Sequence, residues 1–326
     1  MAFTTASISN VGGRAVNEDH CGSQEVSGAG CWVVADGLGG HGGGSTASRL
    51  AVDTVLASFR ANPAVTSEAL WTHLSAAHAA ILQHQGEPSL SQMRSTVVVL
   101  LADGDRAVCG HMGDSRLYQF RQGAVEFQTA DHSVPGALAA SGAIQNDDIR
   151  FHEDRNRVLR SLGNDDEIKP SITERPLRHG DAFLLCTDGF WEYVTELEME
   201  ADAAKTETPN DWLRDMASRL LRRAKAENDN WTAMAIFFQS PRTVTESGKR
   251  PAVKVPMSLL EKVSWGAVAF LTVTLLVFVA VIFYPRQVVN LPEKTHHILA
   301  PDTKPAGKSE GTAAKKETTA QEKPVH

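Results

Sequence analysis

Six stretches of the chain are apolar and rich enough in β-branched and aromatic residues to read as strands: residues 30–35, 95–102, 107–112, 116–120, 182–186 and 231–238. Asp103-Gly104-Asp105 follows the second run and Arg121-Gln122-Gly123 follows the fourth, both as tight-turn signals. Strands joined by short turns must pair antiparallel, because a parallel return needs a long crossover. Residues 95–120 are therefore expected to form three successive antiparallel strands. Apolar residues recur at helical spacing over about 44–60, 66–85 and 209–226. Hairpins with separate helices predict an α+β layered fold, not a doubly wound parallel sheet. No internal repeat breaks residues 1–239, which read as one domain.

The longest apolar run comes late. The 22 residues 263–284, VSWGAVAFLTVTLLVFVAVIFY, carry no charge. As a helix they span roughly 33 Å at 1.5 Å per residue, enough for a bilayer core of about 30 Å. Trp265 and Tyr284 stand near the two ends, where aromatic rings favour the interface. Lys249, Arg250, Lys254 and Lys262 precede the run, and only Arg286 and Lys294 follow closely. The positive-inside rule then puts the N-terminal side in the cytosol. The start, MAFTTASISN, has neither a charged n-region nor an apolar h-region. The expectation is a single transmembrane helix over 263–285, a juxtamembrane linker over 240–262 and a disordered extracytoplasmic tail over 286–326, whose composition cannot build a core.

Charge narrows the function. The formal net charge is −7, and residues 1–240 alone carry about −12. An acidic domain argues against nucleic acid, whose phosphates need a basic face. Four cysteines, Cys21, Cys31, Cys109 and Cys186, form no C-x-x-C pair, which speaks against a zinc or redox site and for reduced core residues. Asn230-Trp231-Thr232 matches a glycosylation sequon, a match without meaning in a cytosolic domain.

Gly37-Leu38-Gly39-Gly40-His41-Gly42 fits G-x-G-x-x-G after a strand and before a helix, as a dinucleotide loop should. However, no second strand with a terminal acid follows about twenty residues on, and Asp36 puts an anion where a pyrophosphate would sit. Read from Asp36, the pattern is different. The run CWVVA delivers an Asp-Gly, and AFLLC-Thr187 delivers another at Asp188-Gly189. Asp114 lies in Met112-Gly113-Asp114-Ser115, and Asp229 precedes the strand WTAMAIFF. Carboxylates at strand ends, beside glycines that permit sharp turns, can converge on one edge of a sheet sandwich. Packed like charges need cations to neutralise them, and hard Mg²⁺ and Mn²⁺ prefer all-oxygen sites. Two such ions can activate a water and clamp a phosphoryl group.

The ordered set Gly13-Arg14-Ala15-Val16-Asn17-Glu18-Asp19, Val33-Val34-Ala35-Asp36-Gly37-Leu38-Gly39-Gly40, Gly113-Asp114-Ser115-Arg116, Thr187-Asp188-Gly189 and Asp229-Asn230-Trp231-Thr232 resembles the metal-dependent protein phosphatases of type 2C, the PPM family, and its bacterial branch most closely. The resemblance covers roughly residues 5–239. It implies a four-layer α/β-sandwich, with a central antiparallel β-sandwich flanked by helices. It implies hydrolysis of phosphoserine and phosphothreonine on proteins by a water activated between two Mn²⁺ or Mg²⁺ ions, with no phosphoenzyme. By the same resemblance, Asp36 would bridge the two metals and the Gly37 carbonyl would bind one. Asp188 and Asp229 would hold the second metal. Glu18 and Asp19 would act through bound water, and Asp114 would help hold a third, weaker ion. Arg14 would grip the substrate phosphate, for which a planar guanidinium is suited. Many family members carry His directly after Asp-Gly as general acid; this chain has Leu38 there, which leaves that role open between His41, nearby in sequence, and a metal-bound water. Residues 129–164 look like the family's flap beside the active site.

The leading expectation is a phosphatase opposing a Ser/Thr kinase at the cytoplasmic face of a bacterial inner membrane. Phosphorylated proteins would be its substrates, the lipid bilayer its partner through 263–285, and an envelope assembly such as a secretion apparatus its target. Two alternatives are a tethered scaffold with an inactive catalytic fold, and a nucleotide-binding oxidoreductase resting on the glycine loop alone.

Overall fold

The computed structural model describes residues 2–39, 43–164 and 167–239. The chain enters as β1 (Ala2–Asn10), β2 (Asp19–Val26) and β3 (Ala29–Leu38), then folds helices α1 (Gly43–Ala61) and α2 (Ser67–His84). Five strands follow: β4 (Arg94–Ser95), β5 (Val97–Ala102), β6 (Arg106–Met112), β7 (Arg116–Arg121) and β8 (Ala124–Gln128). An excursion containing α3 (Val134–Ala140) leads to β9 (Ser171–Pro176) and β10 (Ala182–Cys186). Three helices, α4 (Asp188–Trp191), α5 (Glu196–Ala203) and α6 (Pro209–Arg223), precede the last strand, β11 (Trp231–Gln239).

The strands make two sheets, ordered β1-β11-β10-β7-β8 and β2-β3-β5-β6-β9, with β4 pairing β3 at its end. Every neighbouring pair is antiparallel. Alternation along each strand sorts the side chains into layers. On β3, Trp32 and Val34 point into the core between the sheets, whereas Cys31, Val33 and Ala35 point to the opposite face. On β11, Met234, Ile236 and Phe238 enter the same central core, and Trp231, Ala233 and Ala235 point outward. Helices cover both outer faces. Val55 and Phe59 of α1 with Leu70 and Leu74 of α2 pack on the β3 side. Trp212, Met216 and Leu220 of α6 pack on the β11 side. The expected four layers, helix, sheet, sheet, helix, are therefore present.

Helix ends follow local chemistry. Thr66 caps α2 by accepting the Ala69 N–H (3.1 Å), and Thr208 caps α6 ahead of Pro209. Arg222 and Arg223 close α6 at the negative end of its dipole.

One sequence expectation fails. β5 and β6 form the expected hairpin, but β7 does not continue that sheet. It crosses to the other sheet and pairs with β10 and β8. Gly113 makes the crossing possible, since its φ of 108° lies where a side chain is strained. The short link 113–115 therefore joins the two sheets and carries Asp114 on it. Cys31, Cys109 and Cys186 are buried and free, and Cys21 is half-buried and free. Residues 240–262, 263–285 and 286–326 lie outside the described residues. Among the described residues no helix is long and apolar enough to cross a membrane.

Candidate active site

The strand-end acids meet where one edge of the sandwich opens. Asp36 follows Trp32 and Val34 on the inward face of β3, but the apolar core ends before it. Asp19 stands directly opposite Asp36 in the β2–β3 register. Asp188 opens α4 just after β10, Asp229 lies just before β11, and Asp114 comes from the crossover. Both sheets thus deliver carboxylates to one cleft of about 630 Å³. Arg14, Glu18, Asp36, Gly37, Asp114, Asp188 and Asp229 line it. Of the residues expected from the sequence, Asp19 sits behind the cleft wall. There it is buried and accepts a hydrogen bond from Thr187 Oγ1 (2.8 Å). His41 lies outside the described residues.

Backbone clamps fix the arrangement. The Asp36 N–H donates to Thr96 Oγ1 (3.0 Å), and its carbonyl accepts from the Thr96 N–H (2.8 Å) and Ser95 Oγ (2.9 Å). Thr96 Oγ1 also bonds Ser115 Oγ (2.7 Å), tying β3 to the link that carries Asp114. Asn230 organises the loop between β1 and β2. Its Oδ1 accepts the Glu18 N–H (2.8 Å), and its Nδ2 donates to the carbonyls of Val11 (2.7 Å) and Val16 (3.0 Å). That loop presents Arg14 and Glu18. The Asp-Gly glycines do not serve sharp turns, contrary to the sequence reading. A Cβ on Gly37 would lie 2.0 Å from the Gly44 carbonyl oxygen, where α1 begins, and one on Gly189 would lie 2.0 Å from the Asn230 carbonyl oxygen. Both glycines let backbone approach backbone beside a cleft acid.

The cleft concentrates negative charge. Burial, and then repulsion from Asp19, Asp188, Asp114 and Asp229, holds the Asp36 carboxyl well above the usual range. Burial, with Asp114 and Glu192 next, does the same to Asp188. Burial pushes Asp114 up to about 7, with Asp131 adding to it. Burial pushes Asp19 up to about 6, although bonds from Thr187 and Thr232 work against the rise. Such shifts reflect first the burial of these carboxyls and then the crowding of like charges, both of which a bound cation would relieve. Among the described residues, no three His, Cys, Asp or Glu side chains gather tightly enough to enclose an ion alone. The carboxylates ring the cleft instead of meeting at a point. That suits hard divalent ions, which take oxygen donors and keep several waters.

The structure also pairs two residues for which the sequence suggested separate tasks. Arg14 Nη2 reaches Asp229 Oδ2 at 2.7 Å, and both side chains are largely exposed. Several contributors escaped sequence reasoning. Asn230 and Thr187 lay inside the quoted motifs without a role, and nothing in the sequence marked Thr96. Asn156 and Val158 of the 129–164 excursion line the cleft, which places that excursion beside the acids as expected. The dinucleotide reading fails on topology. The strand bearing Gly37 is antiparallel to both β2 and β5, whereas a dinucleotide loop needs a parallel βαβ unit.

Known proteins match this arrangement. A family model for protein phosphatase 2C matches residues 9–232. The serine/threonine phosphatase stp of Listeria monocytogenes is 32% identical over 174 residues, 52% of this chain and 69% of that one. The structure of PppA, a key regulatory component of T6SS in Pseudomonas aeruginosa, is 33% identical, with a TM-score of 0.61, over 73% of this chain and 99% of that one. The catalytic domain of the serine/threonine protein phosphatase PstP, in complex with 2 manganese ions, is 28% identical, with a TM-score of 0.63, over 72% of this chain and 97% of that one. A family-wide match over most of the described residues, on a fold shared with these enzymes, means that the chain belongs to the protein phosphatase 2C family and is a serine/threonine protein phosphatase.

Proposed function

We propose that the chain removes phosphate from phosphoserine and phosphothreonine on membrane-associated proteins, using two Mn²⁺ or Mg²⁺ ions in the acid-lined cleft and a third, weaker ion near Asp114. One observation carries the reading of the site. Asp36 faces four other aspartates that all raise its pKa, and among the described residues lining the cleft the one cation is Arg14 at the rim. In this reading Asp36 with the Gly37 carbonyl would hold the first ion and share in the second, which Asp188 and Asp229 would hold, and Glu18 and Asp19 would act through bound water. When bound, the ions supply Lewis-acid polarisation of the phosphoryl oxygens and lower the pKa of a water.

The chain's own residues do the rest. Arg14 exchanges Asp229 for the substrate phosphate once that carboxylate is otherwise engaged, and its planar fork then grips two phosphoryl oxygens. Asn156 and Val158 narrow the approach to the cleft. His41 is the candidate donor of the proton that the departing alkoxide needs.

The test is hydrolysis of a phosphothreonine peptide by the full chain with and without Mn²⁺, beside Asp36→Asn. Activity that requires the ion and collapses in the variant supports the site. A folded, Mn²⁺-loaded chain without activity would favour the scaffold reading.

The membrane part of the proposal rests on the sequence. The uncharged run 263–285, with basic residues concentrated before it, would anchor the enzyme with its catalytic domain in the cytoplasm, opposite a Ser/Thr kinase. The likeness to PppA adds one candidate setting, an envelope assembly. Recovery of the chain in a salt-washed membrane fraction, and its release when 263–285 is deleted, is the expected result. Recovery of the intact chain in the soluble fraction would remove the anchor from the proposal.

A further inference from the structure

The excursion beside the cleft has two sides. Asn156 and Val158 line the active cleft, and Leu159 and Arg160, next along the same segment, line a second cavity of about 740 Å³. The segment is held as a wall. Ser133 bridges Val158 in a short antiparallel contact, the Val134 N–H donates to the Arg157 carbonyl (2.9 Å), and the Leu159 N–H donates to the His132 carbonyl (2.7 Å). Ser171 and Thr173 of β9 form the facing side. The volume falls within the range of small-molecule sites, about 300–1,000 Å³.

The chemistry of this cavity is the reverse of the cleft's. Among its lining residues the one carboxylate, Asp131, has both oxygens taken by Arg116 (2.9 and 2.8 Å). The one cation, Arg160, is exposed and makes no ion pair among the described residues. Three hydroxyls already spend an oxygen lone pair on an N–H. Thr129 Oγ1 accepts from Leu117 (3.0 Å), and Ser133 Oγ accepts from Gly136 (3.2 Å). Ser171 Oγ accepts from His132 Nε2 (2.9 Å), because His132 Nδ1 is itself an acceptor from the Gly113 N–H (3.3 Å). A hydroxyl that accepts in this way keeps its own hydrogen to donate. Burial, and then His111 and Arg160, push His132 down to about 3, so the ring is neutral and this donor pattern is fixed. Phe127, Ala137, Ala140 and Leu159 add an apolar side.

We propose that this cavity is a second ligand site, binding an oxyanion carried on an apolar body, with the phosphate, phosphonate or carboxylate held by Arg160 and the hydroxyls of Thr129, Ser133 and Ser171. Its walls are shared with the active site, so its occupant is felt there. His132 clamps Gly113 twice, through its ring and through its backbone N–H to the Gly113 carbonyl (2.9 Å). Asp131 holds Arg116, whose guanidinium stacks on Trp191 at 3.5 Å, and Trp191 Nε1 donates to the Asp114 carbonyl (2.9 Å). The oxyanion could come from a second acidic or phosphorylated residue on the substrate protein, or from a free metabolite.

The test titrates phenylphosphonate, whose C–P bond a phosphatase does not hydrolyse, into the full chain in EDTA. Under those conditions the carboxylates repel anions from the active cleft. The expected result is saturable one-site binding by calorimetry, weakened at least about 10-fold by Arg160→Ala and by the cavity-filling Ala137→Trp, and retained in Arg14→Ala. No binding by the folded chain overturns the proposal, as does binding that Arg14→Ala abolishes and Arg160→Ala leaves alone. With Mn²⁺ present, the source is read from KM. A doubly phosphorylated peptide whose advantage over the singly phosphorylated one vanishes in Arg160→Ala assigns the site to the substrate. A KM for the singly phosphorylated peptide that phenylphosphonate shifts assigns it to a free ligand. Equal KM values for the two peptides, together with no effect of phenylphosphonate, reject the coupling to the active site.

Discussion

Five aspartates are less than about a tenth exposed among the described residues, Asp19, Asp114, Asp131, Asp181 and Asp202, while Asp36 and Asp188 are half-buried at the cleft surface. Three of the five are forked by arginine. Arg116 holds Asp131, Arg121 holds Asp181 and Arg219 holds Asp202, each through two nitrogens at 2.7–2.9 Å. The other two, Asp19 and Asp114, have no such partner among the described residues; Asp114 lines the cleft and Asp19 stands behind its wall, and they are pushed up to about 7 and about 6. The same fold thus neutralises its structural acids internally and leaves its cleft acids exposed to one another. Burying a charge without a partner is costly. On the proposed reading, the counter-charge for the cleft comes from solution.

The largest test of that contrast is functional. Asp36→Asn should lower Mn²⁺-dependent phosphatase activity by about 10³-fold or more, measured as kcat/KM on a phosphothreonine peptide. A loss below 10-fold would remove Asp36 from the centre of the scheme.

Next comes stability, where the two classes should differ in sign. Asp131→Asn leaves Arg116 buried without its carboxylate and should cost about 3–5 kcal/mol in urea unfolding. Asp114→Asn, measured in EDTA at pH 8, should be neutral or stabilising. A carboxyl raised above its unfolded value costs stability as pH rises past about 4, and the cost levels off above about 7. Equal losses in both variants would erase the comparison.

Gly37→Ala should be smaller, about 1–3 kcal/mol, because its methyl meets backbone at the start of α1 and that backbone must shift. Thermal unfolding checks it.

An effect confined to acid pH concerns His111 and His132, stacked at 4.4 Å. Burial lowers both, aided at His132 by His111 and Arg160 and opposed at His111 by the Ala130 carbonyl and Asp131. The unfolded chain takes up protons as pH falls through about 6.5, whereas the folded chain does so only near 3 at His132. The His132 contribution should therefore be complete above pH 7 and be lost as pH drops from about 6.5 toward 3, against the opposite trend of the raised cleft carboxyls. His132→Gln should flatten that slope.

What the sequence revealed and what it hid follow the same physics. The six strands read from apolar runs are the inner strands of the two sheets, whose side chains face protein on both sides. The strands that escaped, β1, β2, β8 and β9, are the four sheet edges. Their residues alternate between core and solvent or carry polar groups on both faces, as in ERP of β9 or GSQE of β2, so no apolar run betrays them. The crossing of β7 was hidden because a three-residue link looks like a hairpin turn from either side. Which sheet the next strand joins depends on what it packs against, and Leu117 finds the central core while Tyr118 and Phe120 find α5 and α6. Asp36, Asp114, Asp188 and Asp229 were legible because each ends or begins an apolar strand, and Glu18 and Asp19 only through the family motif. Their supports, Thr96, Thr187 and Asn230, were not, since a hydrogen-bonding side chain carries no periodic signature.

The pairing of β1 with β11 has a mechanical consequence. Asn10 lies opposite Trp231 at the cleft end, and Ala2 lies opposite Gln239 at the other. Eight strand steps separate the two ends, about 27 Å. A tether attached after Gln239 therefore leaves from the end of the sandwich remote from the acids and pulls along the strands, a direction that loads many β1–β11 hydrogen bonds together. Bead-immobilised or surface-grafted enzyme held at that point should keep its cleft turned toward solution and free for bulky phosphoproteins, while attachment near Val11 would crowd the entrance.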